Sequence, residues 1–117
     1  MNQYKQRNIV VLGGGSWGTA LAVLLHGRGH RVTIWELVVE RAAAMRKHRE
    51  NKEMLPGIHI DESILITPDI EKAKRGNNVV VFAVPSHGLR GTAQLLKPLL
   101  RGDEIVVIAT KGIEEST

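Results

Sequence analysis

The sequence predicts an α/β fold in which helices cover both faces of a doubly wound parallel sheet. Short β-branched runs alternate with helix-like segments in the order βαβαβαβαβ. The most hydrophobic run, "NVVVFAV" (Asn78–Val84), lacks polar alternation, as expected of a parallel strand covered on both faces. Hydrophobic residues make up 43% of the 117 residues and aromatics 3%, which predicts one domain, 1–117, with an aliphatic core.

Five strands are predicted, each from a short run rich in β-branched residues. The segment Met54–Asp61 is instead predicted to be a loop, because Pro56-Gly57 is a turn signal. The strands are predicted at Asn8–Leu12, Arg31–Trp35, Ile64–Thr67, Asn78–Val84 and Glu104–Thr110.

Four helices are predicted between these strands. Pro68 is expected at the start of the third helix, and Pro98 is expected to break the last turn of the fourth. On the first helix, Leu21, Leu24 and Leu25 are expected to form the buried face. The helices are predicted at Trp17–Arg28, Val38–Arg49, Asp69–Arg75 and Leu89–Leu100.

Composition and charge argue against several classes of protein. The net charge of +4 is scattered, and its densest cluster, "RKHRE" (Arg46–Glu50), has no aromatic residues interleaved for stacking on bases. Nucleic-acid binding is therefore disfavoured; a steep salt dependence of DNA binding would be its mark.

The chain carries none of the usual signals for export or membrane insertion. It has no cysteine, which excludes disulfides and thiolate metal sites and fits a reducing cytoplasm. No apolar run approaches the roughly 20 residues that span a bilayer. The polar start "MNQYKQRN" does not resemble a signal peptide. We therefore expect a cytoplasmic protein with no membrane association and no metal site.

A glycine loop carries the main functional signal. Gly13-x-Gly15-x-x-Gly18 follows a predicted strand and opens a helix, as in Rossmann-type dinucleotide-binding domains. Gly13 would permit the tight turn after the strand. Gly15 would let the backbone approach a pyrophosphate, and Gly18 would let the helix pack close to the strands. The helix N-terminus would then offer N–H groups to phosphates. A Walker-type loop is excluded, because Thr19-Ala20 stands where it needs a lysine.

The second predicted strand ends next to an acid that suits a ribose. Glu36 follows Gly18 by 18 residues, close to the usual place of the carboxylate that binds the adenosine hydroxyls. Such a carboxylate would repel a 2′-phosphate, so NAD is favoured over NADP. Arg31 and Arg41 lie near in the sequence and are able to bind a phosphate, so NADP stays open.

Four segments resemble, in order, those of the NAD(P)-dependent glycerol-3-phosphate dehydrogenases. "GGGSWGTALA" (Gly13–Ala22) resembles the family fingerprint G-x-G-x-W/Y-G-T-A-L-A. The segments "NKEMLPG" (Asn51–Gly57), "VPSHGLR" (Val84–Arg90) and "ATKGIEEST" (Ala109–Thr117) are similar to three later motifs. Met54 departs from the family, which usually has an aromatic there, and this weakens any role in stacking or gating.

The resemblance implies roles for single residues. Ser16 and Trp17 would line the pyrophosphate and nicotinamide side of the cofactor, and Glu36 would flank the adenosine ribose. The remaining implied cofactor contacts are Leu37 beside Glu36, and Pro85 and Ser86 at the border of the groove.

Lys111 is the catalytic candidate within the chain. It stands just past the carboxyl end of the fifth predicted strand, the edge at which open α/β sheets bind ligands. Its ammonium group can hold a phosphate or a polarised carbonyl oxygen, and the resemblance implies that it faces both cofactor and substrate. His87 is a weaker candidate for a general base, because the family's catalysis is assigned elsewhere.

The resemblance also implies a larger, two-domain enzyme, homodimeric at full length. Its helical second domain, expected to be absent here, would hold the main catalytic lysine and the pocket for dihydroxyacetone phosphate. The product, glycerol 3-phosphate, would serve phospholipid synthesis. The 117-residue chain alone is expected to bind a dinucleotide weakly, to be inactive and to expose an apolar, self-associating surface.

Two other interpretations stay open. A related dehydrogenase acting on hydroxyisobutyrate or ketopantoate would share the glycine loop, but it gives no reason for "TKGIEEST" (Thr110–Thr117). A regulatory module that senses NAD without chemistry would need no lysine at a strand end.

Overall fold

A computed structural model describes residues 5–110 of the chain. Lys111 and most of the motif "ATKGIEEST" therefore lie outside the described residues.

Within residues 5–110, the strands form one five-stranded parallel sheet and a separate two-stranded hairpin. The order in the large sheet is β5-β2-β1-β6-β7, and every pair in it is parallel. The predicted doubly wound sheet is thereby confirmed. The strands are β1 Asn8–Leu12, β2 Arg31–Trp35, β3 Glu50–Asn51, β4 Leu55–His59, β5 Leu65–Thr67, β6 Val79–Phe82 and β7 Ile105–Ile108.

The alternating side chains of β1 divide the core into two layers, one on each face of the sheet. Ile9 and Val11 pack on one face, with Ile34 of β2. Val10 and Leu12 pack on the other face, in a cluster that also contains Trp35, Phe82 and Leu96. Because both faces are covered, β1 and β6 are apolar almost throughout, as their sequences predicted.

The helices are α1 Ser16–Gly27, α2 Val39–His48, α3 Ile70–Lys74 and α4 Leu89–Leu96. After α4 the chain continues as a short 3-10 turn, Lys97–Leu99, so the break expected at Pro98 is confirmed. Pro68 does not open α3. Asp69 is its N-cap and accepts hydrogen bonds from the Glu71 and Lys72 amides at 3.0 and 3.2 Å.

The buried face of α1 differs from the one expected. Leu24 is 54% exposed, and the fully buried residues of the helix are Gly18, Thr19 and Ala22. Leu21 and Leu25 are only partly buried against the core. Small side chains bring α1 so close to the sheet that the larger leucines lie at the margin of the contact.

The prediction of a loop over Met54–Asp61 was wrong, because this segment contains β4, which pairs antiparallel with β3. Asn51 is paired with Leu55, and the Glu50 carboxylate accepts a hydrogen bond from the Gly57 amide at 2.9 Å. A proline and a glycine are tolerated here because the hairpin is short and its register is irregular.

Among residues 5–110, no helix has both the length and the apolar character needed to cross a bilayer. The same residues contain no group of three or more side chains able to hold a metal ion.

Candidate functional site

A cleft of about 970 Å³ opens at the carboxyl ends of β1, β2 and β6. The backbone ladder continues past the strand ends there: the Gly13 amide donates to the Trp35 carbonyl, and the Ala83 amide to the Leu12 carbonyl, both at 2.9 Å. The cleft therefore lies where the strand order reverses, the usual ligand site of an open α/β sheet.

The turn after β1 requires glycine at two of the predicted positions. Gly13 has a φ of 128°, and a Cβ on it would lie 2.9 Å from the Ala83 carbonyl carbon. A Cβ on Gly18 would lie 1.8 Å from the Gly13 carbonyl oxygen. Gly18 thus lets α1 pack directly on the turn, behind the surface of the cleft.

The middle glycine, Gly14, is a site residue that the sequence pattern missed. A Cβ there would lie 2.3 Å from Oε1 of Glu36 and 2.9 Å from its Cβ. At Gly15, in contrast, the one atom of the described residues that such a Cβ would meet within 4 Å, apart from its chain neighbours, is Cε of Met54, at 3.8 Å. The protein therefore leaves room at Gly15, as the approach of a pyrophosphate would need.

Glu36 is buried beside the glycine loop, after β2, and lines the cleft. Its Oε2 accepts a hydrogen bond from the Val38 amide at 2.8 Å and lies 3.6 Å from Nη1 of Arg41. Nε of Arg41 also donates to Glu53 at 3.2 Å. The site therefore offers a fixed carboxylate to ribose hydroxyls, with a guanidinium beside it that is able to meet a phosphate.

The N-terminus of α1 also faces the cleft. Its N-cap, Gly15, is in an extended conformation, and among residues 5–110 no side chain caps the helix. Ser16 and Trp17 are exposed and line the cleft. The indole Nε1 of Trp17 donates to the Ala109 carbonyl, which joins the glycine loop to the end of β7. An uncapped helix N-terminus of this kind suits an anion.

Asn51 is a second residue that sequence reasoning missed. It lies on β3 and is 1% exposed, and its Nδ2 donates to the Gly14 carbonyl at 2.7 Å. The hairpin β3–β4, whose second strand was predicted as a loop, thus braces the glycine loop. The only sequence signal for it is that Asn51 begins the motif "NKEMLPG".

The other predicted contacts are distributed around the cleft. Leu37 lines it beside Glu36, and Pro85 lines it after β6. Ser86 is exposed in a 3-10 turn, Ser86–Gly88, and lies outside the lining, whereas the neighbouring His87 contributes to it. The structure thus brings most of the predicted cofactor contacts to one surface.

The residues present fit a dinucleotide. The cleft is at the upper end of the size range of small-molecule sites. Its floor at Gly15 is free of side chains, a helix N-terminus lies beside that floor, and a buried acid lines the cleft. This arrangement can bind two phosphates between a ribose and a second planar group.

Comparison with known proteins gives a consistent result. Residues 8–117 match a family model described as the N-terminus of NAD-dependent glycerol-3-phosphate dehydrogenase. The chain is 48% identical over 112 residues to the glycerol-3-phosphate dehydrogenase [NAD(P)+] of Moorella thermoacetica, covering 96% of this chain and 33% of that protein. It is 46% identical over 109 residues to the enzyme of the same name from Chlorobium phaeobacteroides, covering 93% and 33%. The chain thus spans about a third of the length of these curated relatives.

Solved structures show the same fold. The glycerol-3-phosphate dehydrogenase of Coxiella burnetii superposes with a TM-score of 0.86 at 28% identity, over 94% of this chain and 34% of that one. That of Saccharomyces cerevisiae superposes with a TM-score of 0.79 at 23% identity, over 94% and 35%, and supports the fold alone.

Proposed function

This chain belongs to the NAD-dependent glycerol-3-phosphate dehydrogenase family, and on that premise we propose that residues 1–117 form the dinucleotide-binding domain of such an enzyme. The proposed reaction is hydride transfer between NAD(P)H and dihydroxyacetone phosphate, which gives glycerol 3-phosphate. The observation that carries the proposal is the uncapped N-terminus of α1, which opens into a cleft that the buried Glu36 lines.

The chain's own residues would bind and orient the cofactor. Amides of the first turn, at Gly15, Ser16 and Trp17, would bind the pyrophosphate. Glu36, with Leu37 beside it, would hold the adenosine ribose. The bound cofactor supplies the hydride.

Beyond the loop, Pro85 and Ser86 would border the cofactor groove. Lys111 would contact both cofactor and substrate, since it follows β7 within three residues of Ile108. The main catalytic lysine would come from outside these 117 residues, as the resemblance implies.

Cofactor preference gives a direct test of Glu36. We expect calorimetric titration of the chain to show tighter binding of NADH than of NADPH, because the buried carboxylate repels a 2′-phosphate. Glu36→Ala should remove most of this preference. Glu62→Ala is a matched control, since it removes an acid that is exposed and outside the cleft. Tighter binding of NADPH by the unsubstituted chain would refute the assignment of NAD.

The reaction can be tested in a chimaera in which residues 8–110 replace the matching segment of the Moorella thermoacetica protein. The proposal predicts oxidation of NADH that depends on dihydroxyacetone phosphate. A chimaera that binds NADH but shows no turnover would favour the module that senses NAD without chemistry.

We further propose that the complete enzyme is a cytoplasmic homodimer with small-molecule substrates. This rests on the family membership and on a sequence without cysteine.

A further inference from the structure

Asn51 lies beneath the glycine loop, on the side away from the cleft. It is 1% exposed and is not among the residues that line the cleft. A buried amide is costly unless its polar atoms are hydrogen-bonded, so its partners show what it does.

Both polar atoms of the Asn51 side chain are hydrogen-bonded, and their partners lie in the glycine loop, in α1 and in the hairpin itself. Nδ2 donates to the Gly14 carbonyl at 2.7 Å and to Oγ1 of Thr19, on α1, at 3.0 Å. Oδ1 accepts a hydrogen bond from the Met54 amide at 3.2 Å. The side chain therefore ties the hairpin β3–β4 to the loop and to the first turns of α1.

The bond to the Gly14 carbonyl fixes the orientation of one peptide plane. In a trans peptide, the carbonyl of one residue and the N–H of the next point in opposite directions. Since the Gly14 carbonyl points down to Asn51, the Gly15 N–H points away from it, towards the cleft that Gly14, Gly15 and Ser16 line.

We propose that Asn51 is a positioning residue for the cofactor phosphates. By holding the Gly14 carbonyl, it keeps the Gly15 N–H directed at the pyrophosphate of a bound dinucleotide. The inference rests on the proposed function, because it needs a phosphate in the cleft. Asn51 is buried and does not line the cleft, so it would act through the loop and not by contact with the cofactor.

The variant Asn51→Asp tests this with almost no change of shape. At neutral pH its carboxylate faces the Gly14 carbonyl with no proton to donate. The shorter of the two hydrogen bonds to that carbonyl is then lost, and the peptide plane is held less firmly, by the 3.4 Å bond from Oγ1 of Thr19. We expect NADH binding at pH 7.5 to weaken at least tenfold in calorimetric titration.

The pH profile supplies a readout that a merely structural role would not move. Burial raises the pKa of a carboxyl group, and a protonated carboxyl can again donate to the Gly14 carbonyl. The deficit of Asn51→Asp, measured with the acid-stable NAD⁺, should therefore shrink as the pH falls from 7.5 towards 5.

Three further variants separate positioning from stability. Ile60→Val shortens a fully buried core residue outside the cleft, so it should lower the unfolding midpoint while leaving NADH affinity unchanged. If Asn51→Asp does not fold, Thr19→Val replaces it. This change removes the hydroxyl that accepts a hydrogen bond from Asn51 and donates one to the Gly14 carbonyl at 3.4 Å, and it should weaken NADH binding about threefold. Thr19→Ser keeps the hydroxyl and is its control.

The outcomes distinguish this inference from the proposed function. If the unsubstituted chain binds no NADH, both are overturned. If it binds NADH and Asn51→Asp binds equally well, or is weakened to the same extent at every pH, the inference alone is overturned. A loss at pH 7.5 that recovers in acid supports it.

Discussion

Gly14 and Glu36 pack so tightly that the glycine loop and this acid form one unit. The carboxylate is held by the Val38 amide on one oxygen, and its other oxygen lies where a side chain at residue 14 would be. These contacts place the acid before any ligand binds, so we expect a small cost of ordering it on binding.

Gly14→Ala should therefore damage both stability and binding. The added methyl would force the Glu36 carboxylate or the loop to move, and such overpacking typically costs about 1–3 kcal/mol of unfolding free energy. We expect a lower urea midpoint and weaker NADH binding than in the unsubstituted chain.

Gly27→Ala is the matched control for Gly14→Ala. It adds the same methyl at the end of α1, where no atom of the described residues, apart from its own chain neighbours and helix backbone, would lie within 4 Å of the new Cβ. It should leave affinity unchanged and stability equal or slightly higher. Equal behaviour of the two variants would contradict the tight contact between Gly14 and Glu36.

The sequence was sufficient to predict Gly13 and Gly18 but not Gly14 or Asn51. The first two are needed for a turn that belongs to a recurring strand–loop–helix pattern. Gly14 is needed because Glu36, which follows β2, lies against it, and Asn51 is needed because β3 lies beneath the loop. Contacts between segments distant in the chain leave no periodicity for a sequence pattern to show.

At the scale of elements, an ion pair joins α3 to the segment before β7. Nζ of Lys74 lies 2.9 Å from Oε2 of Glu104, and both side chains are almost fully buried. The Glu104 carboxylate also accepts hydrogen bonds from the Arg101 and Gly102 amides at 2.8 and 3.0 Å. These contacts, the hydrogen bond from Lys74 first, lower the pKa of Glu104 from 4.5 to about 2.

The lowered pKa predicts a loss of stability in acid. A carboxyl whose pKa is lower in the folded state stabilises the fold fully above the unfolded value, 4.5, and loses this contribution as the pH falls towards 2. The unfolding midpoint of the chain should therefore fall across this range. In Glu104→Gln it should be lower at neutral pH and should change less between pH 4.5 and 2.

Asp61 is a second acid whose titration would contribute to the loss of stability at low pH, so it has to be controlled for. Hydrogen bonds from Ser63, the backbone amide first, also lower the pKa of Asp61, so part of the acid loss should persist in Glu104→Gln. Asp61→Asn should remove that smaller part. Parallel midpoint curves for Glu104→Gln and the unsubstituted chain would show that the pair with Lys74 does not stabilise the fold.

Strands and helices were predictable where the spacing of hydrophobic residues along the sequence determines the structure. The runs that became β1 and β2 have the predicted bounds, because β-branched residues buried on both faces suit only an interior strand. The hairpin β3–β4 was missed because all but one of its residues are at least partly exposed, so no apolar pattern marks it. Its position is set by Asn51, the buried exception.

At the scale of the whole molecule, the alternation of strands and helices was enough to predict the layered fold. Right-handed crossovers leave few arrangements for five parallel strands, and the observed order is one of them. The alternation does not predict how well each edge is covered. One edge, β5, is short, whereas the other, β7, has four apolar residues that are all at least 43% exposed.

The exposed strand β7 predicts self-association of the 117-residue chain. Within residues 5–110 it pairs only with β6, so its other edge offers unpaired backbone groups, and alternate side chains leave both faces apolar. Sedimentation velocity should show the average mass rising with concentration. Val107→Lys, which puts a charge on the edge strand, should shift the chain towards monomer. Leu24→Lys puts the same charge on an exposed leucine of α1 and should have no such effect. A chain that stays monomeric at high concentration would mean that β7 is covered in solution.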